Sequence, residues 1–405
     1  MSKRILPNGV RVLSHSMEHT RSVSIGVWVE AGSRYESAKE AGMAHFIEHM
    51  LFKGTTTRSA KELAIAFDKI GGNSNAYTSK EQTCYYTRVL DSYAHQAVEL
   101  LADMLWNSVF DPQEIEREKQ VIIEEIHMVE DTPDDSVHEY LWAGIYDKHP
   151  LAQPILGTIE TVNTFTQEEL IAFYKRMYYP SRIIVSVAGN IDDRLLDTIC
   201  QLFGSNHWDS QSIAPLTKGD FHPAAVCNER EIEQAHVTLA WPSTAVKDPS
   251  IYAIVLLQTM LGGSMSSRLF QAIREERGLA YSIYCYQTSY LDSGVFAIYG
   301  GTSTDQLTEL LEAVDDILAE VVEKGFSETE LQNAKAQIES NLLLSLESST
   351  TWMNRLAQNE TLYGEQHTVE SYLQKYQAVT SDDILKAAQL FTHPKAISIV
   401  QPYSV

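Results

Sequence analysis

The sequence predicts an α+β protein of two duplicated domains, each a mostly antiparallel sheet with helices packed on one side. Three observations predict it. The chain has 405 residues, beyond one ordinary domain of about 100–200 residues. Short alternating strands and amphipathic helices follow each other in the first half, and the second half repeats that order in outline. A helix-start signal stands at corresponding places, Asp111-Pro112-Gln113-Glu114 in one half and Ser327-Glu328-Thr329-Glu330 in the other. Residues 209–225 hold Ser, Pro and Gly with no period and read as a linker. The expected domains are 1–208 and 226–405.

In the first half, Pro7-Asn8-Gly9 reads as a turn, followed by strands over Val10–Ser14 and Val23–Glu30, the second alternating Val23, Ile25, Val27, Val29. Ala31-Gly32-Ser33 breaks it. Helices are expected over Ala41–Phe52 and Ser59–Ile70, the latter stopped by Gly71-Gly72. Asn75–Ser79 and Thr83–Val89 read as paired strands. Helices follow over Ala94–Ser108, from Pro112 to about Val129, over Asp135–Tyr146, and over Thr166–Met177 with Thr166 and Glu169 as a capping box. A strand at Arg182–Ala188 and a helix at Asp192–Phe203 close the half. The second half reads as strand Ala235–Ala240, helices Ile251–Leu261 and Ser267–Glu276, and strands Tyr281–Ser289 and Val295–Tyr299. Helices Gln306–Glu323, Ser327 to about Leu346, Thr368–Gln377 and Ser381–Phe391 lead to a last strand at Ile397–Val400.

Composition narrows the function classes. A net charge of −23 argues against nucleic acid, which needs a basic surface. A strongly charged partner is expected to be basic. Cys84, Cys200, Cys227 and Cys285 are widely spaced without a C-x-x-C pair, so free thiols in a reducing compartment are expected. No run approaches the ~18 apolar residues of a membrane span, and the basic start lacks an apolar h-region. A soluble cytoplasmic protein without membrane partners is the expectation, although a transit peptide already removed would look the same.

The chemistry concentrates in His45-Phe46-Ile47-Glu48-His49. On a helix, His45 and His49 share a face at i and i+4 and can hold one metal ion. Glu48 flanks that face and can reach a metal-bound water without being a ligand. Ligands, water and base are the parts of a zinc hydrolase, in the inverse order of H-E-x-x-H. With 13 histidines and all 54 acids counted as Glu, chance gives roughly 0.06 such patterns. Apolar or small neighbours Gly42, Met43, Phe46 and Met50 bury the helix, where two unliganded histidines and Glu48 would be costly. A third ligand is available on the helix from Pro112, which carries Glu118, Glu124 and Glu125. Glu118 and Glu125 lie two turns apart on one face, with Val121 and Ile122 between them.

These residues resemble a family. His45-Phe46-Ile47-Glu48-His49, followed by Glu118-Lys119-Gln120-Val121-Ile122-Ile123-Glu124-Glu125, is similar to the pitrilysin-type zinc peptidases, which include insulin-degrading enzyme and the mitochondrial processing peptidase. The likeness is nearest to the catalytic subunit of the processing peptidase and its bacterial single-chain relatives, and it covers essentially the whole chain. It extends through Gly71-Gly72-Asn73-Ser74-Asn75-Ala76-Tyr77-Thr78-Ser79, Tyr178-Tyr179-Pro180-Ser181, Ala188-Gly189-Asn190 and Ser267-Arg268-Leu269-Phe270. It implies His45, His49 and Glu125 as ligands of one zinc ion per chain, Glu48 as general base, and Glu118 as the outer carboxylate. In Arg274-Glu275-Glu276-Arg277-Gly278-Leu279-Ala280-Tyr281, it implies that Arg274 and Tyr281 reach a bound peptide from the second half. It also implies an edge strand around Asn75 and Ala76 that takes an extended peptide.

The expected function is zinc-dependent endopeptidase action on extended or unfolded, presequence-like peptides. Relatives pair two chains of about this size or join four such domains. This chain carries both the metal motif and Arg274/Tyr281, so a homodimer enclosing a chamber is expected. The competing readings are a scaffold homologue without catalysis and a peptide-binding module that sequesters without cutting. An intact metal motif argues against the scaffold.

Overall fold

A six-stranded and a five-stranded sheet organise the protein. The structure, a computed structural model, describes residues 1–206, 208, 213 and 215–403; within the expected linker, residues 209–212 and 214 lie outside the described residues. The first part of the chain forms β1 (Ser2–Ile5), β2 (Arg11–Ser16), β3 (Ser22–Val29), α1 (Met43–Met50), α2 (Ala60–Ile70), β4 (Asn73–Thr78), β5 (Thr83–Leu90), α3 (Ala94–Asn107), α4 (Pro112–Glu130), α5 (Pro133–Tyr146), α6 (Ile159–Thr164), α7 (Gln167–Met177), β6 (Ile183–Gly189) and α8 (Asp193–Gly204). The rest forms β7 (Ala225–Arg230), β8 (Ala235–Ser243), α9 (Ile251–Gly262), a π-helical segment Phe270–Glu276, β9 (Ser282–Ser289), β10 (Gly294–Thr302), α10 (Leu307–Lys324), α11 (Glu328–Ser345), α12 (Ser349–Tyr363), α13 (Val369–Gln377), α14 (Ser381–Ala388) and β11 (Ala396–Pro402).

The first sheet runs β1-β2-β6-β3-β5-β4 and the second β7-β11-β8-β10-β9. Leaving out β1, the two orders superpose strand for strand, which makes the duplication visible in topology. One pair in each sheet is parallel, β2 with β6 and β7 with β11, and the others are antiparallel. Both β4 and β9 are edge strands. β3 shows why the first sheet has two buried faces. Val23, Ile25, Val27 and Val29 point into the main core with α1, α3 and α7, while Trp28 points the other way. Alternation along a strand makes this division unavoidable.

The chain divides into two compact units. One comprises residues 1–126, 153–216 and 344–366, the other 127–152, 217–343 and 367–405. Apart from α5 and α12, the helices contributed by each half of the chain lie on one face of that half's sheet, as expected. The opposite face takes a helix from the other half. In the first unit α12 covers Leu13, Trp28, Ile184 and Ala188 through Met353, Leu356 and Ala357. In the second, α5 covers Ala240, Val295, Ala297 and Ala396 through Leu141, Trp142 and Ile145. The compact units therefore interleave along the chain instead of meeting at a single cut within 209–225.

Four elements have no counterpart in the sequence reading: β1, α6, β7 and α12. The buried stripe of α12 has helical spacing, but it contains Ser349 and Glu360 beside Met353, Leu356 and Ala357, so it is not an apolar stripe. Among the described residues no helix is long and apolar enough to cross a membrane.

Candidate metal centre

Helix α1 is only eight residues long, too short to persist on propensity alone. Ala44, Phe46, Ile47 and Met50 anchor it in the first core, with Phe46 edge-to-face on Phe165 at 5.6 Å. Its entry is fixed from outside. Gly42 enters with φ 94°, and a Cβ there would lie 2.6 Å from the Leu156 carbonyl oxygen, so only glycine fits. The buried Glu36 carboxylate accepts from the backbone N–H of Gly42 (2.9 Å) and of Ala44 (2.6 Å). Burial raises that carboxyl, while the Ala44 and Gly42 N–H donors, one on each oxygen, favour its ionised form.

Helix α4 brings the acids. Asp111 Oδ1 accepts from the Gln113 N–H at 2.7 Å and Pro112 opens the helix, as the start signal predicts. Ile115, Glu118, Ile122 and Ile126 form its buried stripe. Glu118 is therefore buried, whereas the Glu125 side chain is 33% exposed.

The structure brings His45, His49 and Glu125 together: one ligand atom from each lies within 4.8 Å of the others. The Nε2 atoms of His45 and His49 each stand 3.7 Å from the same Glu125 oxygen. That is too long for a hydrogen bond. It is near the ~3.3 Å edge of a tetrahedron built on ~2.0–2.1 Å bonds to zinc. His45 is buried and turns Nε2, not Nδ1, toward Glu125; among the described residues its Nδ1 has no hydrogen-bond partner. Burial, and after it the neighbouring His49, pushes His45 down to about 3, which keeps its imidazole neutral and fit to ligate. Two neutral imidazoles and one carboxylate are a donor set that suits zinc and leaves a fourth position open.

The surrounding groups orient this set. His49 Nδ1 lies 3.3 Å from Glu118 Oε2, an arrangement that assigns the proton to Nδ1 and turns the Nε2 lone pair toward Glu125. Lys53 Nζ donates to the other Glu118 oxygen at 2.7 Å. Burial alone would raise the Glu118 carboxyl, but the bonds from His49 and Lys53 outweigh it and hold it below the usual value. Glu48 accepts from Thr78 Oγ1 at 2.5 Å. Burial raises its carboxyl, against the Thr78 donor and His49, which moves it in the direction a general base needs.

The depressed His45 pKa has a consequence for the metal-free protein. The folded ring resists protonation down to about 3, whereas an unfolded histidine protonates near 6.5. His45 stabilisation is therefore present above pH ~6.5 and lost as pH falls toward 3, with a slope approaching ~1.4 kcal/mol per pH unit. Urea unfolding of the metal-free protein should be less pH-dependent over this window in His45→Asn than in the native chain. Equal slopes would contradict it.

The other expected residues are placed as follows. Asn75 and Ala76 lie on β4, whose only sheet partner among the described residues is β5, and Asn75 Oδ1 accepts from the Ala76 N–H at 2.9 Å. Arg274 and Tyr281 belong to the second unit. The Arg274 guanidinium sits 4.4 Å from the Tyr281 ring centroid and 4.8 Å from that of Phe270, and Tyr281 is 77% exposed. Within the expected helix Ser267–Glu276, residues Phe270–Glu276 are π-helical. Sequence reading missed Glu36, Lys53 and Thr78. Lys53 carries a signal, since it follows His49 by one helical turn. Thr78 follows Ala76 on the same face of β4. Glu36 lies in a loop and has none.

Residues 11–159 match the family model described as insulinase, peptidase family M16, and residues 164–338 match the one described as the M16 inactive domain. An uncharacterized zinc protease of Bacillus subtilis is 44% identical over 98% of this chain and 97% of its own. The chain belongs to the M16 peptidase family. A further M16 relative, an uncharacterized zinc protease of Mycobacterium leprae, is 38% identical over 98% of this chain and 91% of its own. The M16 fold recurs in a protease from Helicobacter pylori, with a TM-score of 0.93, 22% identity and 99% of each chain covered. It recurs also in a Pseudomonas fluorescens protein described as an M16 inactive domain, with a TM-score of 0.92, 20% identity, and 100% of this chain and 98% of that one covered. In this M16 chain the H-x-x-E-H pattern occurs once, in the part matched by the insulinase model.

Proposed function

We propose that the protein is a zinc-dependent endopeptidase that hydrolyses extended or unfolded peptides. The observation that carries this reading is the convergence of His45, His49 and Glu125 with Glu48 beside them. One zinc ion per chain, when bound, supplies a Lewis acid for the scissile carbonyl and a water of lowered pKa. Glu48 takes the proton of the attacking water and delivers it to the leaving amine. Thr78 fixes the orientation of Glu48 by donating to one of its oxygens. Glu118 holds His49 in the ligating tautomer.

The free edge of β4 supports a peptide site. An extended peptide can add there as a further strand, through main-chain hydrogen bonds. Thr78, at the end of β4, touches Glu48, so such a peptide runs past the base. Asn75 and Ala76 then lie in the binding edge. The test is mass spectrometry of products from a peptide library, with Glu48→Gln alongside. No cleavage by the native chain in the presence of zinc would overturn the reading and favour a binding module.

The family resemblance assigns Arg274 and Tyr281 to contact with the bound peptide, Tyr281 serving the developing oxyanion. Their stacked arrangement supports a joint role. Tyr281→Phe should lower kcat about 10–1,000-fold with zinc content unchanged; normal turnover would remove Tyr281 from the mechanism. A homodimer is proposed to enclose the peptide in a chamber, and the net charge of −23 favours basic, presequence-like substrates. Sedimentation at working concentration checks the dimer, a monomer overturning it. The four free cysteines favour a reducing compartment, in this reading the cytoplasm.

A further inference from the structure

We propose that Glu36 is a positioning residue of the metal centre: its carboxylate sets the first turn of α1, and through it the place of His45 relative to Glu125. Helix α1 cannot cap itself. Its N-cap is Gly42, which makes no side-chain cap bond, and the Leu156 and Gly157 backbone leaves no room for a side chain there. The first N–H groups of a helix have no intrahelical partner, and burying them unpaired is costly. Glu36 supplies the cap from six residues upstream, one oxygen to the Gly42 N–H and the other to that of Ala44. It is 2% exposed, so water cannot take over this duty.

His45 is the third residue of α1, in the turn that Glu36 holds. His49 and Met50 sit in the far turn, held by the core and by Glu118. A shift of the first turn therefore moves one ligand and not the other. The loop bearing Glu36 is itself tied down. The Ser33 and Arg34 N–H groups donate to the Ser79 and Lys80 carbonyls at 3.2 and 2.7 Å, and Arg34 pairs with Glu81 at 2.6 Å. A Cβ on Gly32 would come within 2.3 Å of the Ser79 oxygen, so this contact is close-packed. The same loop thus fixes the tip of the β4–β5 hairpin and the start of the metal helix.

This inference rests on the zinc reading, and the experiment separates the two. Zinc dissociation constants are measured by chelator competition, and cobalt(II) spectra are recorded, for the native chain, Glu36→Gln and Ser59→Ala. Glu36→Gln keeps the shape but turns an NH2 toward one of the two backbone donors. It is expected to weaken zinc binding about tenfold or more and to change the cobalt d–d bands. Ser59→Ala removes the capping box of α2 in the same unit; it should lower thermal stability and leave zinc affinity unchanged. Native-like affinity and spectrum in Glu36→Gln, or an equal loss in Ser59→Ala, overturns the positioning role. No zinc binding by the native chain overturns the metal reading itself. If Glu36→Gln does not fold, Glu36→Asp, which withdraws the carboxylate by one methylene, should still weaken binding threefold or more; unchanged affinity there counts against the role equally.

Discussion

Glu48→Gln is expected to bind zinc as the native chain does and to lose peptide hydrolysis by about 10²–10⁴-fold, the span of general-base contributions. The separation follows from geometry. Glu48 is not among the residues whose ligand atoms converge, which are His45, His49 and Glu125. Its closest polar partner is the Thr78 hydroxyl, and glutamine can accept that bond through its carbonyl oxygen while losing the ability to take a proton. Zinc content by metal analysis and turnover of an extended peptide check both halves of the result. Lost zinc would make Glu48 a ligand, and retained turnover would place the base elsewhere.

His49→Ala carries the second large effect, and Glu118→Gln grades it. Removing His49 takes one donor from three and leaves Glu118 buried without the histidine it faces at 3.3 Å. An unpaired buried charge is costly, though Lys53 still holds one of the two Glu118 oxygens. Stoichiometric zinc and all hydrolysis should be lost from a protein that remains folded. Glu118→Gln leaves the three donors in place but weakens the orientation of His49, so zinc affinity should fall about 10–100-fold. Equilibrium dialysis against a zinc buffer gives the order: native, then Glu118→Gln, then His49→Ala. Full zinc occupancy in His49→Ala would refute the ligand set.

What was legible in the sequence is what a single helix spacing carries. His45 and His49 at i and i+4, and Glu118 and Glu125 at two turns, announce shared faces without knowledge of the fold. Glu36 and Thr78 act across loops and strands, so their partners depend on tertiary packing that no local period encodes. The same limit explains the missed elements. β7 is a half-exposed edge strand of mixed residues, and α12 buries Ser349 and Glu360 among its apolar contacts. Glu360 is tolerated there because Lys3 meets it at 2.8 Å. The parallel pairs β2–β6 and β7–β11 follow from where the chain returns to each sheet, which the strand sequences do not state.

The placement of α5 and α12 makes each half of the chain depend on the other to finish its fold. A protein holding only one half would leave a sheet face of residues such as Trp28 and Ile184 bare to water, because the helix that covers it comes from the other half. Such a bare apolar face would favour association, a swapped pairing with a second copy being one way to cover it.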